Sequence, residues 1–302
     1  MSETLERPFM LTPSAGCVTA VEAFRRMLED WRGSAANAAP AHAPLAGADL
    51  WPMLARDGWT LAGRDLGGDA APVARDVVEF AEAWGHALGA LPFLETLLVA
   101  RWQGGLAADA PATFAIPLQA GGALLPFGGL AAPHAQAADG RWSALAASLA
   151  QIVARDDLAP SLPIWTVAGL DTTLAPEMAR EAASAYVASA VGCAERCLAR
   201  SIEHTSNRIA YGRAVVTFQA LRHILADMYR DTELARSGVV GALHEPDWVP
   251  LLEHCADLAQ RVVARAIQLH GGMGFTWEMG LHFHARHILA VRKLLRALAG
   301  EG

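Results

Sequence analysis

The chain has 302 residues, 53% apolar and 18% charged, which supports a substantial core and excludes disorder as its dominant state. Its 24 basic and 31 acidic residues leave a net charge of −7, and no basic run lies along a predicted helix face, so nucleic acid is not an expected partner. Lys293 is the sole lysine; Schiff-base chemistry on a pocket lysine and a G-K-[ST] phosphate loop drop out, and phosphate recognition falls to arginine forks.

Cys17, Cys193, Cys197 and Cys255 show neither a C-x-x-C pair nor a framework spacing, as expected of reduced thiols in a cytoplasmic protein. The start, MSETLERPFM, has charges where a signal peptide has its apolar core. Residues 110–138 carry no Asp, Glu, Lys or Arg, but four prolines and four glycines interrupt them, so no membrane span is expected.

From about Ala15 to Trp31, apolar Val18, Val21, Phe24 and Leu28 recur every three or four residues and predict a first helix. After the Ala/Pro linker SAANAAPAHAPLAGA, Asp49 is placed to N-cap a helix through LWPMLARDG, with Pro52 in its first turn. A third helix over about 72–88 buries Val73, Val77, Phe80 and Trp84, and LPFLETLLVARW supplies a fourth. Residues 1–104 thus read as a helical N-terminal domain.

Beyond Gly104, TFAIPL, ALLPFGGL and SLPIWTVAG are short apolar runs bounded by Gly, Pro and Asp-Gly, as strands are, while SALAASLAQIVA fits strand or helix. A reduced β-rich middle module is placed at 105–172. Long helices return over about 175–208, 218–240, 246–270 and 276–299, with Phe218, Leu221, Leu225 and Met228 as the core stripe of the second. Short turns join them, which predicts a C-terminal four-helix bundle over 173–302 and a mainly α fold.

Two junctions between the long helices carry candidate chemistry. In QLHGGMGF, 268–275, glycines 271, 272 and 274 let backbone approach a ligand, and the N–H groups of a following helix favour an anion. The same residues also read as a plain helix C-cap. In NRIAYGRAVVTFQALRH, 207–223, Arg208 and Arg213 flank a turn at Gly212 and Gln219 opens the next helix. Two forks and an amide there either converge on a phosphate-bearing ligand or are simply solvated.

Metal ligation is not expected. His282, His284 and His287 form H-x-H-x-x-H, but 282 and 284 point about 200° apart on a helix, and no acidic or cysteine ligand completes a set. Cys193 and Cys197 read as small core residues, and no G-x-S-x-G elbow is present.

Taken in order, these pieces resemble the acyl-CoA dehydrogenase family, flavoproteins with a helical N-terminal domain, a middle β domain and a C-terminal four-helix bundle. LWPMLARDGWTLAGRDLGG and FAEAWGHALGALPFLETLL resemble the family's N-terminal helices. RIAYG followed by FQALRHILADM, and AIQLHGGMGFTWE, resemble its two C-terminal signatures. The resemblance implies FAD, its diphosphate and adenosine contacted by Arg208, Gln219 and the stretch Gln268, Leu269, His270, Gly271 and Gly272. That FAD would be held mainly by a neighbouring subunit, hence a homo- or hetero-oligomer. Also implied are an acyl-CoA substrate, transfer of its α-proton to a glutamate and its β-hydride to flavin, and an electron-transfer flavoprotein or similar acceptor.

The chain departs from the family pattern at the base. Counted from Gln268 without gaps, the usual glutamate position falls on Leu295; an alternative position falls on Ala182, one residue and about 100° of helix from Glu181. Glu181 is the candidate catalytic base, with Glu278, beside the glycine turn, behind it. The middle segment is short and lacks a T-E-P-x-x-G-S-D-like motif, and the family's Arg-Asp pair appears as Arg286-His287. Phe275 to His282 resembles a branch of shortened members that act in mixed oligomers on CoA esters of bulky acids such as steroid side chains. The expectation is an acyl-CoA dehydrogenase-like flavoprotein subunit sharing its FAD site with a longer, glutamate-bearing partner. The rival expectation is a catalytically inactive structural or regulatory subunit.

Overall fold

A computed structural model describes residues 13–14, 16–34, 43–63, 74–103, 106–145 and 151–301. Four helices come first: α1 (Cys17–Gly33), α2 (Leu50–Arg56), α3 (Ala74–His86) and α4 (Phe93–Gln103). The stripe Val21, Phe24 and Leu28 of α1 is buried, whereas Val18 faces solvent. Phe24 lies 4.9 Å from Phe93, 5.2 Å from Trp59 and 5.5 Å from Phe80, an aromatic cluster that joins the helices. Asp49 precedes α2 without capping it, and its carboxylate accepts a hydrogen bond from Trp31 Nε1 instead. Val73 lies outside the described residues.

The middle segment holds seven strands among the described residues: β1 (Ala112–Phe114), β2 (Ile116–Pro117), β3 (Ala123–Pro126), β4 (Ala132–Gln136), β5 (Trp142–Ala144), β6 (Gln151–Asp156) and β7 (Ile164–Ala168). They form two small sheets, ordered β1-β4-β5 and β2-β3-β7-β6, antiparallel except for the β1–β4 pair. The ambiguous SALAASLAQIVA contributes to the end of β5 and the start of β6, with 146–150 outside the described residues. Strand β4 is not evident from sequence, because Pro133 within APHAQ argues against a central strand. Gln136, its last residue, accepts a hydrogen bond from Ala175 N just ahead of the bundle.

The bundle consists of α5 (Pro176–Asn207), α6 (Gln219–Ala242), α7 (Trp248–Leu269) and α8 (Leu281–Leu298). Helix α5 is its axis and packs on α3, α6, α7 and α8. Two glycines set how near α3 lies: a Cβ on Gly85 would stand 1.9 Å from Ser189 O, and one on Gly192 would stand 2.0 Å from Glu82 O. On α6, Leu225 and Met228 are buried, while the expected stripe members Phe218 and Leu221 are only partly so. A helix was expected from Thr276, but α8 starts at Leu281. A 3-10 turn over Gly271–Phe275 and a bend through Gly280, at φ 63°, intervene.

Charge also fastens the helices. Buried Glu82 accepts from Arg236 Nε at 2.9 Å and Nη2 at 2.7 Å, while Glu195 takes Arg25 at 3.0 Å and His86 at 2.9 Å, linking α1, α3, α5 and α6. Burial alone would raise the Glu195 carboxyl, yet His86 and Arg25 beside it pull it down to about 2. One buried apolar cluster runs from Phe24 through Phe114 to Val191 and Val262, so helices, strands and bundle share a core. No described helix is long and apolar enough to cross a membrane.

Candidate functional site

Helix α5 ends at Asn207, and Arg208 stands just beyond it, its N–H donating to His204 O and its carbonyl accepting from Val215 N. Between these anchors the chain makes a hairpin, β8 (Ile209–Ala210) and β9 (Arg213–Ala214). Tyr211 at φ 53° and Gly212 at φ 76° form its two-residue turn, both in the positive-φ conformation that a tight hairpin requires. The Arg213 guanidinium stands 4.2 Å above the Phe218 ring. Of the two forks expected to converge, only Arg208 lines the cavity described below.

At the other junction Gly271 adopts φ 61°, and a Cβ on Gly274 would meet Ile267 O at 2.2 Å. Glycine is needed at 271 for its conformation and at 274 for close approach to α7. With the start of α8 displaced to Leu281, no helix N-terminus follows the glycines directly, which corrects the expected source of N–H groups for an anion.

Arg208 and His270 nonetheless line one cavity of about 440 Å³, together with Arg200, Glu203, His204, Asn207 and Met279. The two distant junctions meet there within a single chain. Gln219 is exposed beside His223, 3.2 Å away, and neither it nor Gln268, Leu269, Gly271 or Gly272 lines the cavity. Arg200 and His204, absent from the sequence-based set, are two of its walls. Their signal was present, since positions 200, 204 and 208 recur at four-residue steps along one helix face.

The rings of His204 and His270 stack, with centroids 4.4 Å apart and planes 26° from parallel. Burial pushes both imidazoles below the usual histidine range; Arg208 adds to this at His204, and His204 and Arg200 add to it at His270, against the Ala266 carbonyl. The Nε2 atoms of both rings are buried with no hydrogen-bond partner among the described residues. Arg200 is mostly buried and donates to Met279 O.

A second cleft, of about 400 Å³, lies between β2 and the ends of α5 and α8. It is walled by Ile116, Leu118, Leu174, Ala179, Trp248 and Leu298 among others, and Gln119 reaches across to donate to Gly300 O. No carboxylate, histidine or lysine lines it.

The catalytic candidates lie elsewhere. Glu181 is held by Arg101 and accepts from Trp102 Nε1 at 3.0 Å, an α4–α5 clasp that lines neither cavity. Ala182 and Leu295 are buried apolar residues, and neither can take a proton. Glu278 is exposed, its carboxyl held below the usual range by backbone N–H and by the Thr276 hydroxyl. Arg286 stands over Trp277 at 5.7 Å, and His287 is buried between Ser161 and Ser189, 2.9 Å from each hydroxyl.

Residues 173–294 match the family described as acyl-CoA dehydrogenase, C-terminal domain. Over 138 residues the chain is 36% identical to acyl-CoA dehydrogenase IpdE2 of Mycobacterium tuberculosis, 42% of this chain and 43% of that protein. The match thus spans less than half the length of that relative. Among solved structures, the ChsE4-ChsE5 complex from Mycobacterium tuberculosis superposes with a TM-score of 0.74 at 18% identity, over 96% of each chain. A glutaryl-CoA dehydrogenase from Mycobacterium smegmatis, in complex with FADH2, superposes with a TM-score of 0.67 at 16% identity, over 98% of this chain and 96% of that one. The C-terminal bundle therefore matches the acyl-CoA dehydrogenase C-terminal domain family, and the chain as a whole has the fold of these acyl-CoA dehydrogenase structures.

Proposed function

We propose that this chain is a flavoprotein subunit of an acyl-CoA dehydrogenase assembly, contributing part of an FAD site and working beside a subunit that supplies the catalytic glutamate. The observation that carries the reading is the meeting of Arg208 and His270 on one cavity. Guanidinium groups there suit phosphate, and the orphaned buried Nε2 of His270 has a hydrogen bond left to make. At about 440 Å³ the cavity holds only a portion of a dinucleotide, and the remainder would rest against another chain. Bound FAD would supply the hydride acceptor for α,β-dehydrogenation of an acyl-CoA thioester.

Within this chain Arg208 holds phosphate, and the exposed Gln219, Gln268, Gly271 and Gly272 face outward toward the part of the ligand on the neighbouring subunit. The apolar cleft excludes water from an acyl group but offers no atom that takes an α-proton. The base comes from the partner, and Glu181 serves as the α4–α5 clasp. An electron-transfer flavoprotein or similar acceptor takes the electrons, and the resemblance of Phe275–His282 favours CoA esters of bulky acids.

The absence of a carboxylate from the cleft also favours a second reading, an inactive structural or regulatory subunit that binds no flavin. Co-expression with a longer, glutamate-bearing homologue and measurement of flavin per chain decides between them. The proposal expects a yellow complex with fewer flavins than chains, and loss of flavin on Arg208→Ala. Full occupancy in that variant, or a colourless wild-type complex, counts against it.

A further inference from the structure

Cations also gather where α1, α3 and α5 meet, apart from the two larger cavities. A pocket of about 30 Å³ there is lined by Arg25, Arg32, His86 and Arg196, with Glu29 exposed on its wall. One water-sized species needs about 10 to 15 Å³, so the pocket admits a single small ion and no nucleotide or thioester. Arg25 donates to Glu195 at 3.0 Å, and His86 Nδ1 donates to the same carboxylate at 2.9 Å. Arg32 donates to the carbonyls of Ala43, at 2.9 Å, and Ala87. Arg196 is half-buried and makes no hydrogen bond or ion pair among the described residues. Burial and then Arg196 push the Arg32 guanidinium down to about 10, and burial, with Arg196 among the neighbouring cations, also lowers Arg200 on α5 and His284 on α8. The Cys197 thiol beside Arg196 and Arg200 is pushed up to about 12 by burial, so it stays neutral and offers them no counter-charge. Glu29 forms no ion pair among the described residues.

We propose that this pocket is a small-anion site, filled by a monatomic halide such as chloride that the Arg196 guanidinium holds with Arg32 beside it. The ion supplies the negative charge that Arg196 lacks. Leu28 and Ala83 on the walls keep water from the pair, which strengthens the attraction between ion and guanidinium. Arg196 on α5 is thereby tied to the last turn of α1, beyond the reach of the Glu82 and Glu195 network. The site is a fastening of helices and stands independently of the flavin reading: its size rejects a phosphate group, and Arg208 lines a different cavity.

The test is chloride NMR of the full chain, with sodium chloride replacing sodium gluconate at constant ionic strength. Exchange of chloride into a protein site broadens its resonance, and the wild type should show a saturable excess width. Arg196→Gln should weaken chloride about tenfold, the value of one charge-assisted hydrogen bond. Glu29→Gln removes the nearest negative charge on the wall and should tighten binding, while Arg208→Ala should leave the broadening as it is. Absence of saturable broadening in the wild type, its persistence unchanged in Arg196→Gln, or weaker binding in Glu29→Gln overturns the site. Broadening that vanishes in Arg208→Ala assigns the chloride to the larger cavity and overturns it equally. Bromide-soaked crystals of the wild type stand independently of any variant's folding. An anomalous-scattering peak should lie beside the Arg196 guanidinium, and a pocket without one at saturating bromide refutes the assignment.

Discussion

Glu95 is buried, and among the described residues no cation pairs with it. Burial raises its carboxyl to about 7, against the lowering effect of its backbone contact and of the Tyr186 hydroxyl, which donates at 2.9 Å. Folding therefore favours the protonated acid. Its contribution is fully present below the ordinary value of 4.5 and is lost as pH rises through about 7. Linkage puts that loss at roughly 3 kcal/mol. Urea denaturation at about pH 5 and about pH 8 should show the fall in the wild type and a flatter profile in Glu95→Gln, which stays neutral and still accepts from Tyr186; equal slopes would show that Glu95 is not the group responsible. At this scale Arg208 and His270 were legible in the sequence because glycines and family-like motifs marked them. Arg200 and His204 shared only a four-residue spacing with Arg208, which a solvated helix face shows equally, so they became site residues once the opposing wall was known.

Helix α3 crosses α5 at the distance its glycines allow. The atoms blocking a Cβ at Gly85 and at Gly192 are backbone carbonyls, which cannot rotate aside as a flexible side chain does. Gly85→Ala should cost about 3 kcal/mol, the upper part of the usual range for overpacking. Far-UV circular dichroism on heating should show a clear fall in Tm, and an unchanged Tm would mean that α3 shifts freely on α5. Element type and order were readable from periodicity, from α1 to α8. Their ends were less so. The pattern at 276–280 continued in apolar residues, yet Gly280 at positive φ delays α8 to Leu281, and the glycine turn becomes an isolated 3-10 segment instead of the mouth of a helix dipole.

For the whole molecule, the outcome turns on what lines each cavity. The apolar cleft lacks a titratable base, and Glu181 is engaged by Arg101 and Trp102. Acyl-CoA added to the chain alone in the presence of FAD should therefore leave the flavin absorbance unchanged, and bleaching should appear only when a glutamate-bearing partner is mixed in. Bleaching by the single chain would show that it carries its own base. Loss of a general base costs about 10²- to 10⁴-fold in rate, so the comparison is well within the reach of a stopped-flow trace.

The sequence alone determined the order of the helices, the place of a strand-bearing segment between them and the helix junctions worth inspecting, because hydrophobic period, glycine placement and residue type are local properties of a chain. It also established that neither 295 nor 182 carries a group able to take a proton. Which side chains share a cavity was decided only in three dimensions. Arg208 and His270 are brought together by the packing of α5 against α7, Arg213 lies over the Phe218 ring, and Glu181 is claimed by a cation from α4. Each of these depends on distances between segments far apart in the chain, which burial of the common core sets and no local pattern encodes.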